Sequence, residues 1–184
     1  MNIPGSSFAP LICAGRALAT SAAVCGLALA SAANASGAQT NVAAAASCKT
    51  SGLVVWLDTQ GNATAGSTYY TLRFTNQSGH ACTLAGYPGV SAVDLRGRQL
   101  GSAGSRNPSV AHVVGLPSGA TADAVLRITD VHNFPASTCH PAAAAGLRVY
   151  PPNQTASKVV PIPFEACSHA GPVYLSVKAV AATT

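Results

Sequence analysis

T-L-R-F-T-N-Q-S-G-H-A-C-T-L-A-G-Y-P-G-V, residues 71–90, joins an alternating strand, a polar turn, a cysteine and a Pro-Gly corner. Tyr70, Leu72 and Phe74 face one way, and Tyr69, Thr71, Arg73 and Thr75 the other, the period of two of a half-buried strand. Asn76 follows, with a short amide side chain suited to bonding the backbone of the turn it opens. At the far end, Gly86-Tyr87-Pro88-Gly89 reads as a turn, because proline presets φ and glycine accepts a positive φ.

Working outward, the apolar run L-V-V-W-L at 53–57 predicts a buried partner strand with Trp56 in the core. A polar loop, D-T-Q-G-N-A-T-A-G-S, separates the two strands. Antiparallel pairing about that loop reflects Cys48 close to Cys82. Further along, residues 90–95 read as a strand, L-R-G-R as a hairpin turn, 102–108 as a loop and 110–114 as extended chain. Residues 122–129 alternate Ala122, Ala124, Leu126 and Ile128 against Asp123, Val125, Arg127 and Thr129, the pattern of a central strand. Prolines 135 and 141 forbid a long helix over 130–141, although one helical turn is expected at 142–145. Residues 147–150 and 158–163 form a second hairpin across Pro151-Pro152, with Pro161 and Pro163 confining the latter strand to an edge. Reflection about its centre brings Cys139 near Cys167. The last strand, 173–180, is expected to point Val173, Leu175 and Val177 inward. About eight short strands punctuated by Gly and Pro turns describe a β-sandwich.

Of the 184 residues only 8% are charged, and the net charge is +5, from 10 basic and 5 acidic residues. The basic side chains are scattered singly, whereas a nucleic-acid surface needs them concentrated. No nucleic-acid partner is therefore expected. Arg16 precedes an apolar Ala-rich run at 17–33, and Ala33 and Ala35 offer a cleavage site. Residues 1–35 read as a signal peptide, 36–47 as a linker, 48–180 as the domain and 181–184 as a tail, with no stable membrane span after cleavage. Beyond the signal segment the cysteines are Cys48, Cys82, Cys139 and Cys167, an even set that in an exported chain predicts two disulfides. Four cysteines allow three pairings, and the hairpin reflections favour Cys48–Cys82 with Cys139–Cys167.

The chain carries no nucleophile elbow, phosphate-binding loop or dinucleotide glycine motif. Its acidic residues are Asp58, Asp94, Asp123, Asp130 and Glu165, mostly at strand ends or on solvent faces rather than as a facing pair. Neither an enzyme nor a cofactor is expected. His80, His140 and His169 lie near cysteines, so a metal-binding or redox protein using His/Cys pairs is the alternative; oxidised sulfur, however, is a poor ligand. N-x-S/T triplets occur at Asn62, Asn76 and Asn153. Tyr87, in a rigid turn beside a cysteine, and His80 are the candidate contact residues.

The order Cys48, F-T-N, C-T-L-A-G-Y-P-G-V, D-L-R-G, L-P-S-G-A, C-H-P, L-R-V-Y-P-P and Cys167 resembles an uncharacterised family of secreted bacterial proteins, common in actinobacteria, grouped as a domain of unknown function. The resemblance covers about 48–180 and implies an immunoglobulin-like β-sandwich at the cell envelope, often attached as a lipoprotein. This chain lacks the lipid-attachment cysteine, and the family supplies no catalytic residues. The expected function is an exported, non-catalytic envelope module that binds a protein or cell-wall component through its loops. An enzyme inhibitor presenting 102–108 or Pro151-Pro152 is a second alternative.

Overall fold

A computed structural model describes residues 45–183. The signal segment expected over 1–35 and most of the linker expected over 36–47 lie outside the described residues.

The chain forms β1 (Leu53–Thr64), β2 (Ser67–Asn76), β3 (Cys82–Ala85), β4 (Gly89–Val93), β5 (Gln99–Leu100), β6 (Ser105–Arg106) and β7 (Val113–Leu116). It continues with β8 (Thr121–Thr129), one helical turn α1 (Ala136–Cys139), β9 (Pro141–Tyr150), β10 (Lys158–Cys167), β11 (Leu175–Val177) and β12 (Ala181–Ala182). One sheet has the order β1-β2-β8-β11-β6, with β12 also on β8; a second has β10-β9-β4-β5; β3 and β7 pair separately. The architecture is the all-β sandwich with two disulfides that the sequence predicts, with twelve strands among the described residues rather than about eight, because several two-residue strands pair at its margins while β1, β9 and β10 run longer than expected.

The two sheets share one core. Leu72, Phe74, Ala122, Ala124 and Leu126 from the first sheet meet Val90, Ala92, Leu147, Val149 and Val160 from the second. The alternation read in β2 and β8 is the observed one, and Phe74 is completely buried. Burying a side chain of that size contributes roughly 1.5–3 kcal/mol. β10 is an edge strand, as its prolines require, and its register shifts between Pro161 and Phe164.

Several expectations are corrected. The 58–67 segment is mostly strand: β1 and β2 pair from Leu53↔Asn76 to Thr64↔Ser67 around a tight turn where Gly66 takes φ +70°. Trp56 is 38% exposed, not core. β1 puts Leu53 and Leu57 inward and leaves Val54 and Trp56 on an open sheet face, as antiparallel sheets commonly do. There the Trp56 indole N–H donates to Thr75 Oγ1 (3.2 Å), and the Arg73 guanidinium lies 4.9 Å from the ring centre.

Residues 142–145 belong to β9 rather than to a helical turn, because the β10 ladder pairs Ala142, Ala143 and Ala144 with Ala166, Glu165 and Phe164. Val173 points outward and Tyr174 is buried instead, since β11 begins only at Leu175 and the alternation does not reach back to Val173. Tyr174 donates its hydroxyl hydrogen to Leu100 O (3.1 Å), and burial pushes its pKa far above the ordinary tyrosine value. Ordered pairing also extends beyond both expected domain ends. Ser47 bridges Thr83, and Ala181–Ala182, expected as part of a tail, pair with β8.

Candidate functional site

The opening block builds one corner of the sandwich. β3 leaves its ladder at Ala85, and Gly86 takes φ +96°, a left-handed conformation that favours glycine. Its carbonyl accepts from Val180 N–H (2.9 Å), which anchors the turn to the end of the chain. Pro88 is buried while Tyr87 is half-buried, so the ring is presented at the surface by a fixed backbone.

The Tyr87 hydroxyl is held from both sides. It donates to Ser109 O (2.7 Å) and accepts from Ser109 N–H (3.0 Å), with Ser109 Oγ at 3.4 Å. Ser109 Oγ in turn accepts from Ala179 N–H (3.0 Å). The Ser109 hydroxyl and backbone N–H draw the Tyr87 pKa below the ordinary tyrosine value, and the positive charge of Arg106 adds to this. Tyr87 therefore caps the corner through its hydroxyl and keeps part of its ring for the surface.

That ring lines a cleft of about 370 Å³ with Arg106, Tyr150, Pro151, Asn153 and Gln154. The Arg106 guanidinium lies 5.7 Å from the Tyr87 ring centre, within cation–π reach. Among the described residues, the guanidinium of Arg106 has no carboxylate partner; the arginine ion pairs are those of Arg73 and Arg98. Across the cleft, Asn153 takes φ +59°, and its amide donates to Ala85 O (3.1 Å). This bond ties the β9–β10 loop to the end of β3. Gln154 Oε1 accepts from Thr50 N–H (3.3 Å), fixing the other side of the loop.

Three stretches singled out separately in the sequence thus meet here: the Gly-Tyr-Pro corner, the Pro151-Pro152 loop and residues 102–108, which are not wholly the expected loop, since Ser105 and Arg106 form β6 by pairing with β11. Sequence reasoning identified Tyr87 but missed Arg106, Asn153 and Gln154 as its neighbours. Their loops carried a signal, proline-rich turns, but nothing local links them.

His80 lies elsewhere. It is exposed and lines a smaller cleft of about 160 Å³ with Lys49, Ser51, Asn76, Ser78 and Cys82. The structure does not bring it together with Tyr87 in one cleft. Asn76 dominates that neighbourhood: fully buried, it donates from Nδ2 to His80 O and Leu116 O (both 2.8 Å). Its Oδ1 accepts from Ser78 N–H (3.0 Å) and Ser78 Oγ (2.7 Å). The amide read as a turn-former also spans to β7, and its burial leaves no room for a glycan at Asn76.

The cysteines pair as Cys48–Cys82 and Cys139–Cys167. The acidic side chains are engaged locally. Asp58 and Asp123 both face Arg73 (3.1 and 3.8 Å), Asp94 pairs with Arg98 (2.8 Å), Asp130 caps a turn through His132 N–H, and Glu165 meets His132 Nε2 (3.0 Å).

The sequence profile of a domain of unknown function, DUF4232, matches residues 48–183. The chain belongs to that family. The matched DUF4232 region takes in both disulfides, the Tyr87 corner and β12, in accord with the strand pairing at the C-terminal end. No curated protein and no solved structure matches the chain. Among the described residues no helix is long and apolar enough to cross a membrane.

Proposed function

We propose that this DUF4232 protein is an exported, non-catalytic cell-envelope module that binds a protein or wall polymer through the loops around Tyr87. The observation that carries this reading is the convergence of the Tyr87 corner, β6 and the β9–β10 loop on one cleft that holds two tyrosine rings, a guanidinium without a carboxylate partner among the described residues and two side-chain amides. Rigid scaffolds commonly carry binding on their loops, and aromatic rings with arginine are the side chains that dominate contact energetics. Two disulfides suit an oxidising compartment, which supports export.

The guanidinium beside two rings suits a ligand that carries a carboxylate or phosphate on a partly apolar frame, such as an acidic peptide or an anionic wall polymer. The test is a crosslinking pull-down from the native envelope with the wild-type chain and with Arg106→Gln and Tyr150→Ala. The binding reading expects a partner retained by the wild type and lost from both variants. Retention unchanged in both, or a turnover that a point substitution abolishes, would overturn it.

A second reading uses the same geometry. Arg106 of the 102–108 stretch and Pro151 of the Pro151-Pro152 loop line the same cleft, so a secreted inhibitor would present both there. Inhibition of a protease in a panel, lost in Arg106→Gln, would favour that reading.

A further inference from the structure

The second disulfide brings together two histidines that are far apart in sequence. His140 follows Cys139, and His169 lies two residues beyond Cys167. Both imidazoles are exposed, with ring centroids 4.0 Å apart and ring planes tilted by 41°. Their backbones are fixed. Ser168 N–H donates to His140 O (3.0 Å), His169 N–H to Cys139 O (3.3 Å) and Gly101 N–H to Ser168 O (3.2 Å). His140 itself takes φ +47°, a left-handed conformation uncommon for a side-chain-bearing residue, as it leaves α1.

Ser168 orders the pair further. Its hydroxyl donates to His140 O (2.8 Å), which turns its oxygen lone pairs toward His169 Nδ1 at 3.5 Å. A proton on Nδ1 facing that oxygen leaves Nε2 with its lone pair directed outward. Among the described residues neither ring has a carboxylate partner; the histidine engaged in that way is His132. Cys139 and Cys167 are joined to each other, so no thiolate is on offer.

Two imidazoles held side by side on a tied backbone offer two nitrogens to a single ion. Nitrogens bound to one tetrahedral ion at about 2.0–2.1 Å stand about 3.3 Å apart. Ring centres of two imidazoles on one such ion lie about 5 Å apart, so the two exposed rings, now with centroids 4.0 Å apart, must swing apart about their side-chain torsions to take one up. No group of three or more ligating side chains gathers among the described residues, so water must complete the coordination.

We propose that His140 and His169 form a surface site for one late first-row divalent ion, held by two imidazoles and open to solvent on its remaining positions. Imidazole chemistry and the affinity order of these ions place Cu(II) above Ni(II) and Zn(II), with Mg(II) and Ca(II) not held.

The test is calorimetric titration of the oxidised chain with Ni(II) and Zn(II), repeated for His140→Asn, His169→Gln and His80→Gln. Asparagine is chosen at 140 because it tolerates the left-handed backbone. One equivalent should bind, weakened at least about tenfold in the 140 and 169 variants and unchanged in His80→Gln. Thiol titration and circular dichroism confirm that each variant keeps both disulfides and its fold. Should a variant misfold, Ni(II) added to the wild type must broaden the imidazole NMR signals of His140 and His169 before those of His80, His112 and His132. Absence of binding, equal affinity in all variants, or broadening that starts at another histidine would overturn the proposal.

Discussion

The β1–β2 hairpin is closed by Cys48–Cys82 beside the fully buried Asn76, whereas the β9–β10 hairpin is closed by Cys139–Cys167 beside two exposed imidazoles. The covalent device is the same, and the residues it encloses are of similar number, with sequence separations of 34 and 28. The surroundings differ in where their polar atoms point. Around the first staple the Asn76 amide spends both donors and its acceptor on His80, Leu116 and Ser78, leaving nothing for a ligand. Around the second, the backbone is just as firmly tied, but both imidazoles are exposed. One staple completes the interior; the other holds chemistry at the surface.

Removing the staples should give the largest effects. Restricting loops of these lengths contributes about 3–4 kcal/mol each. Denaturant unfolding of Cys48→Ala/Cys82→Ala should show the greater loss, because the Asn76 network is loosened with it, and Cys139→Ala/Cys167→Ala the smaller. Equal losses would dissolve the contrast between the two regions. Next in size is Asn76→Ala, expected to cost about 2–3 kcal/mol, since it takes a partner from the buried Leu116 carbonyl and from the part-buried His80 carbonyl and Ser78 N–H. His140→Asn and His169→Gln, read by the same unfolding curves in metal-free buffer, should stay within about 0.5 kcal/mol of wild type, as exposed substitutions do. A large loss there would make the second staple as structural as the first.

The smallest effect concerns a third, purely local device. Asp94 accepts from the backbone N–H of Arg98 (2.8 Å) and of Arg96 (2.9 Å) and from Arg98 Nε (2.8 Å). The Arg98 backbone N–H above all, with its side chain, holds the carboxyl below the ordinary aspartate value of 3.8. A carboxyl depressed in the folded state stabilises the fold above its unfolded pKa, and that contribution is lost as pH falls through the folded value. Asp94→Asn should therefore flatten the acid limb of the stability–pH profile and leave the alkaline limb unchanged. An unaltered acid limb would show that the turn owes nothing to the charge.

The sequence was most readable where structure is local. Period two in 69–75 and 122–129 gave the inward faces, because side chains on a strand must alternate and only one face meets the core. It misled at Trp56, where an apolar run looks the same whether one or both faces of its strand are covered. It misled at 142–145, where alanines favour a helix but ladder bonds to β10 prevail. Val173 and Tyr174 exchanged roles because the start of β11 is set by its pairing with β8, not by its own residues.

Residues 71–90 by themselves determined a core strand, a turn opened by Asn76, a half-cystine and a rigid corner bearing Tyr87. Each follows from backbone preferences acting over a few residues. Only the tertiary structure decided that Arg106, Tyr150 and Asn153 gather beside that tyrosine and that His140 meets His169. Those meetings depend on how two sheets stack and how separate loops are tied across the chain, and no local pattern encodes them.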